Sequence, residues 1–308
     1  MKSLKSILIV YISSISSIAI SQPPPPGPGT IADSLINEGN IVGAIAEYRK
    51  IYKADPKDQR NIYNYACALS VGKQVDSCLK YLEIAVKMDT TISALIEPDL
   101  LTARKDNRWQ DFENNLVSML NRKFHNPYPD IEYAKKLWKL RAMDQAYFTQ
   151  VGIAGRKTGM KSSVVEALWD FKFMIQERNQ EELGKLITAK GWPRVADVGS
   201  EAAMAAYLTV MHSKDGMQKK YLPVIKKMCE EKELSWERYA LMYDRSLYNE
   251  NKPQKYGTHT RYNEKTDSAE LYPLEDETKV DEWRKELGLE PLAEYMARFN
   301  IKYQPLKK

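Results

Sequence analysis

Apolar residues recur along the first third of the chain at a spacing of 34. Ala32, Leu35, Ala44, Tyr48 and Ile51 are answered by Ala66, Leu69, Cys78, Leu82 and Ala85, and Asp55 by Asp89. Intervals of three and four residues put these apolar positions on one helical face. Gly39 and Gly72 fall where the paired helices of each unit turn. The pattern predicts two helical hairpins. Small residues at 32/66 and 44/78 let the helices approach closely, and 48/82 and 51/85 fill the space between them. Residues 92–124, with Pro98, Leu100, Leu101, Trp109, Phe112, Leu116 and Leu120, read as a degenerate third hairpin that closes the stack.

This spacing, with Gly39, Ala44, Tyr48 and Asp55-Pro56 in place, resembles the tetratricopeptide repeat; in the second unit Thr90 stands where the proline would be. The resemblance implies a short stack of helical hairpins offering a groove to a protein or peptide. Two such units seldom hold together alone, which is why a third is expected.

The segment His125-Asn126-Pro127-Tyr128-Pro129 interrupts the helical pattern with two prolines, and a domain boundary is expected there. Beyond it the repeat is lost. Helices are predicted at about 130–151, 163–178, 180–189, 200–213, 217–232 and 235–248, with Ser200 and Ser235 in N-cap positions. Alternation around Tyr256-Gly257-Thr258, a polar turn at 263–268 and a second short run to Tyr272 predict a β-hairpin over 254–272. Two short helices near 279–287 and 291–299 finish the chain. The expected fold is mainly α: a tetratricopeptide-like stack over 30–124, then a helical domain over 125–308 with one small β-hairpin.

The start of the chain has a different texture. Lys2 and Lys5 precede an apolar run at 7–20 broken only by serines, and Ala19-Ile20-Ser21 supplies small residues at a cleavage site. This predicts a signal peptide over 1–21, a mature start at Gln22 and a periplasmic or secreted protein. The run is too short to anchor the chain, since 14 helical residues reach about 21 Å across a bilayer core of about 30 Å. QPPPPGPG at 22–29 reads as an extended spacer. No later stretch is apolar for long enough to span a membrane, so none is expected in the mature chain.

Composition adds mostly exclusions. The chain has 308 residues, 43% of them hydrophobic and 28% charged, which excludes collagen-like, disulfide-framework and wholly disordered classes. Losing Lys2 and Lys5 with the leader takes the net charge from +5 to +3. That is too small a balance to predict nucleic-acid binding. Cys67, Cys78 and Cys229 leave two readings, a Cys67–Cys78 bridge or three small buried apolar residues, and the second is adopted. No CxxC, HExxH, GxSxG or EF-hand pattern occurs, and Gly155-Arg156-Lys157-Thr158 lacks the spacing of a phosphate loop. No metal and no cofactor are therefore expected.

The second domain carries the candidate chemistry. Asp144-Gln145, Gly191-Trp192-Pro193, Val198-Gly199, His212, Gln218, Asp244-Arg245, Gln254-x-Tyr256-Gly257-Thr258 and Gly288-Leu289 occur in that order. In order and spacing they resemble a bacterial family of uncharacterised domains, found alone or behind repeat modules, over about 130–295. The family pattern has glutamine where this chain has Met211 and His259. The resemblance implies domain limits and a choice of residues, and no mechanism.

His212 shares a helical face with Ala205, Leu208 and Met211. It is either a core histidine or a general base. Asp244 either pairs structurally or orients His212, and Arg245 either closes its helix end or holds an anionic or carbonyl group. Gln254, Tyr256 and Thr258 present alternate polar tips around a glycine, in a loop suited to ligand binding, and Gln218 joins them. Trp192-Pro193 either plugs the core at a helix end or contacts a ligand, and the first reading is adopted. Two functional readings follow. One is an exported interaction scaffold acting through the repeats. The other is a metal-independent hydrolase or transferase built on His212, Asp244, Arg245 and the 254–258 loop.

Overall fold

A computed structural model describes residues 31–213, 216–263 and 268–304. The expected leader (1–21) and the Pro/Gly spacer (22–29) lie outside the described residues. Among those described, the fold is mainly α: fifteen α-helices and one two-stranded antiparallel sheet. They form two compact units, one ending at Thr209 and the other beginning at Val210.

The first unit opens with α1 (Ile31–Asn37), α2 (Ile41–Ala54), α3 (Gln59–Val71) and α4 (Val75–Met88). Helices α2 and α4 begin and end one sequence period apart, and their C-caps, Asp55 and Asp89, share an extended backbone. Asn40 caps α2 by accepting the Gly43 N–H at 2.9 Å. A short helix, α5 (Ser93–Ile96), and 3-10 turns at Pro98–Leu101 and Ala103–Lys105 follow. Next comes α6 (Trp109–Phe124), which starts one further period on from α4.

The core repeats with the same period. Ala32, Ala66 and Leu100 are buried in turn, as are Ala44, Cys78 and Phe112, and Tyr48, Leu82 and Leu116. Pro98 lacks the N–H that a continuous helix would need there, so the first helix of the third unit breaks into short turns while its buried positions stay in register. At the surface Lys123 pairs with Asp89 at 3.2 Å, one period apart. All three cysteines are free and buried, so Cys67 and Cys78 do not pair.

The unit continues through the two-proline segment into α7 (Ile131–Gln145), α8 (Phe148–Thr158), α9 (Ser163–Lys190), α10 (Val195–Val198) and most of α11 (Ser200–Met211). Two helix limits differ from expectation. The helix expected over 130–151 breaks at Ala146 and Tyr147, where Tyr147 takes a left-handed φ of 70°, and α8 begins directly after. The helices expected at 163–178 and 180–189 are one 28-residue helix, because nothing between them interrupts the backbone hydrogen bonds. Helix α7 packs on α9 and on the third repeat unit.

The second unit contains α12 (Met217–Glu230) and α13 (Trp236–Asn249), which pack on each other. The hairpin follows, β1 (Thr260–Asn263) against β2 (Ser268–Leu271), in a register pairing Thr260 with Leu271 and Asn263 with Ser268. Helices α14 (Val280–Glu286) and α15 (Leu292–Ala297) bury Val280, Leu292, Tyr295 and Met296 in a small core of their own. No helix of the described residues is long and apolar enough to cross a membrane.

Candidate functional site

Asp244 lies in the penultimate turn of α13 and is fully buried. Its carboxylate accepts four donors from one loop: the backbone N–H groups of Lys255 (2.8 Å), Tyr256 (3.0 Å) and Thr258 (3.0 Å), and the Thr258 hydroxyl (2.9 Å). Burial pushes this carboxyl up to about 6, because desolvation disfavours the charge more than the four donors favour it.

Gln254 works from the other side of the loop. Its amide N–H groups donate to the carbonyls of His259 (2.9 Å) and Tyr272 (2.7 Å), and its side-chain oxygen accepts the His259 N–H (2.8 Å). Its backbone is held as well, donating to Pro273 and accepting from Glu275. One side chain thus ties the approach to β1 to the segment that leaves β2.

Tyr256 points into an aromatic cluster, edge-on to Tyr243 (5.5 Å) and Tyr239 (6.5 Å). Its carbonyl accepts Arg284 Nη1 at 2.7 Å, while Arg284 Nε donates to the Glu290 carbonyl at 2.7 Å. Gly257 takes φ +72°, and a Cβ there would come within 2.6 Å of Leu292 Cδ1. Glycine is therefore required both by the turn and by the close approach of α15.

The Thr258 hydroxyl has one proton and gives it to Asp244, so it accepts from His259 Nδ1 at 2.9 Å. This chain of bonds sets the tautomer of His259, with the proton on Nδ1 and a lone pair on Nε2. Burial, and next the charge of Arg245, hold His259 well below the usual histidine range, so the ring is neutral. It stacks on Tyr248 at 5.7 Å, and the Arg245 guanidinium lies 5.6 Å from the same tyrosine ring.

Of the residues singled out by sequence, Asp244, Gln254, Tyr256 and Thr258 are brought together, with Arg245 beside them. His212 lies just beyond the end of α11, in the turn that Gln218 holds. Gln218 donates to the Met211 (3.2 Å) and Ser213 (2.5 Å) carbonyls and so closes the turn that carries His212. The partners of Asp244 all lie in the 255–258 loop and His212 is not among them. Of the two readings of Asp244, its bonds are those of structural pairing, to the backbone of the loop and to the Thr258 hydroxyl. Sequence alone singles out neither His259 nor Arg284 as a site residue. His259 has a signal in its place directly after Gln-x-Tyr-Gly-Thr; Arg284 has none, since a lone arginine in a charged helix reads as surface. Asp244, Gln254, Thr258 and His259 are all at most 2% exposed, so the cluster is a closed polar core.

The family model of DUF6624, a family of unknown function, matches residues 129–307. The chain belongs to this family. The match covers more than half of the chain and all the C-terminal residues above, and it starts beyond the repeated hairpins. No curated protein and no solved structure matches the chain. Within the DUF6624 region, no group of three or more His, Cys, Asp or Glu among the described residues is arranged to hold a metal ion. The Trp192-Pro193 pair of this region behaves differently from the buried loop. Pro193 is buried, but Trp192 is only half-buried and borders a cleft.

Proposed function

We propose that this DUF6624 protein is exported to the periplasm or beyond and acts as a protein- or peptide-interaction scaffold through a tetratricopeptide-like stack. One observation carries the reading: α2, α4 and α6 begin at residues 41, 75 and 109, with buried positions repeating in step. Three units in register suffice for a stack with a continuous core and side chains facing outward. A groove of about 240 Å³ lies between α4 and α6, floored by Phe112 and Leu116 and flanked by Met119, Lys87 and Arg122. Apolar contacts dominate the floor, and the rim carries Lys87 paired with Glu83 and, beside them, Arg122, which suits a peptide segment with apolar side chains and one acidic group for Arg122.

Peptides selected from a random library on the full chain should share that pattern, and Met119→Glu should weaken them about tenfold or more, an interface-anchor effect. Peptides indifferent to every groove substitution would count against the scaffold. Export has its own test: the mature protein should begin at Gln22 by mass spectrometry, and an intact Met1 in the folded protein would refute it. The scaffold is preferred to a metal-independent hydrolase or transferase because the carboxylate that such an enzyme would use, Asp244, is saturated by the loop it supports.

A further inference from the structure

The cleft beside Trp192 lies wholly within the first compact unit and encloses about 390 Å³. Small-molecule pockets occupy roughly 300–1,000 Å³, so it is large enough for one or two linked rings. Asp130, Tyr133, Lys190, Trp192, Arg194 and Asp197 line it. Trp192 stands on the loop between the end of α9 and the start of α10, where Gly191 at φ +79° turns the chain and Pro193 stiffens it.

The walls are pinned to one another. The Tyr133 hydroxyl donates to the Gly191 carbonyl at 2.9 Å, and the Asp130 N–H to the Asp197 carbonyl at 2.9 Å. Asp130 also caps α7, accepting the Tyr133 N–H at 3.2 Å, and its other oxygen takes Lys190 Nζ at 2.5 Å. Behind the loop, a Cβ on Gly199 would fall 2.6 Å from the Tyr128 ring, so α10 is held close. A cleft made this way exists before any ligand arrives.

Its chemistry narrows the occupant. An inorganic anion is disfavoured because the two cations of the lining, Lys190 and Arg194, are matched by two carboxylates, Asp130 and Asp197, and Lys190 is already bonded to Asp130. A purely apolar ligand would have to desolvate charged groups on every side. The Asp197 carboxylate is exposed and has no hydrogen-bond or ion-pair partner among the described residues, so it offers two oxygens to incoming hydroxyls. The Lys190–Asp130 pair adds a donor and an acceptor side by side. Trp192 supplies an aromatic surface. A pyranose matches this set, with one C–H face for the indole and hydroxyls at its edge.

We propose that this cleft binds a neutral saccharide, one sugar ring resting on Trp192 with its hydroxyls shared between Asp197 and the Lys190–Asp130 pair. The test uses the full mature chain and ligand-observed NMR with calorimetry. The probes are glucose, galactose, N-acetylglucosamine and the β-linked disaccharides of each, with inorganic phosphate and glycine as controls. At least one saccharide should bind, with Trp192→Ala weakening it about tenfold or more and Asp197→Asn about three- to tenfold, the scale of one lost contact. Trp192→Phe should retain most of the affinity. If Trp192→Ala unfolds, the exposed Asp197→Ala decides, since that side chain supports no fold contact. The proposal is overturned if no probe saccharide binds, if binding survives both substitutions unchanged, or if phosphate or glycine binds more tightly at this cleft.

Discussion

The two compact units are stabilised in different ways. From α1 to α6 the first unit is a sequence of apolar layers, in which the same buried positions recur with every repeat. The second unit has fewer apolar layers, and its irregular segments are fixed by three buried polar anchors: Asp244, Gln254 and Arg284. Non-directional packing tolerates a degenerate third repeat with a broken helix, because any apolar group of fitting size serves. Polar anchoring does not, since each donor has one acceptor placed for it. Losing one anchor should therefore cost the second unit more than losing one layer costs the first.

Asp244→Ala should have the largest effect. It strands three backbone N–H groups and a hydroxyl in a buried site, at about 1–3 kcal/mol for each group that water cannot reach. The sum approaches the whole net stability of a domain, about 5–15 kcal/mol. The expected result is loss of near-ultraviolet dichroism from the tyrosine cluster and a separate, much earlier unfolding step for residues 210–304. Asp244→Asn sharpens the point by turning an amide donor toward N–H donors. It also carries a pH signature. The folded carboxyl titrates near 6, above its unfolded range, so its contribution to stability is greatest below the unfolded value and is lost as pH rises through 6. Denaturant midpoints between pH 4 and 7 should fall for the parent relative to Asp244→Asn.

Truncating a layer should cost less. Leu82→Ala and Leu116→Ala remove equivalent, nearly fully buried side chains from successive repeat units. Each is expected to cost about 2–5 kcal/mol, with the unfolding transition still single. Similar values for both would mark the third unit as a full member of the stack despite its broken first helix. A much smaller loss at Leu116 would place it outside.

Gly257→Ala comes next. The residue would be strained at φ +72° and its Cβ would meet Leu292, a side chain that can shift. Left-handed strain of about 1–2 kcal/mol plus modest overpacking gives roughly 2–3 kcal/mol. Adding Leu292→Ala should recover the overlap but not the strain, and a denaturation cycle of the four proteins separates the two.

The same contrast explains what could be read from the chain. The repeat is legible because apolar periodicity is a property of residue type alone, and the third unit keeps it where Pro98 destroys the helix. The β-hairpin is legible for the same reason, through alternation around a polar turn. The local importance of Asp244, Gln254 and Thr258 can also be seen in their grouping. Their role cannot. Whether a carboxylate faces a histidine or four donors depends on the path taken by the loop from Lys255 to Thr258, and no spacing rule encodes that path. Trp192 misleads in the opposite sense. A Trp-Pro pair after a helix resembles a core plug, and only the fold reveals that the proline is buried while the indole borders a cleft.

The smallest expected effect tests the contrast from within the first unit, where buried polar contacts of the second kind also occur, among them those of Asn179 and Lys172. Lys172, in α9, is 1% exposed; its Nζ donates to the Asp144 (3.1 Å) and Ala146 (2.7 Å) carbonyls, where α7 ends, and lies 3.6 Å from the Phe148 ring centre. Burial holds this amine down to about 8, with the charge of Asp144 opposing. The sign follows: the folded protein releases the proton more readily than the unfolded chain, so stability rises as pH climbs from 8 toward 10. That rise should be absent in Lys172→Met. At pH 7 the same substitution removes two hydrogen bonds but also a buried charge, and exchanging a buried charge for an apolar side chain of similar length is often close to neutral. A midpoint within about 1 kcal/mol of the parent would mean that this unit rests on its apolar layers even where it uses a polar contact. A loss as large as that of Asp244→Ala would break the contrast, because polar anchoring would then be as decisive in the repeat-bearing unit as in the other.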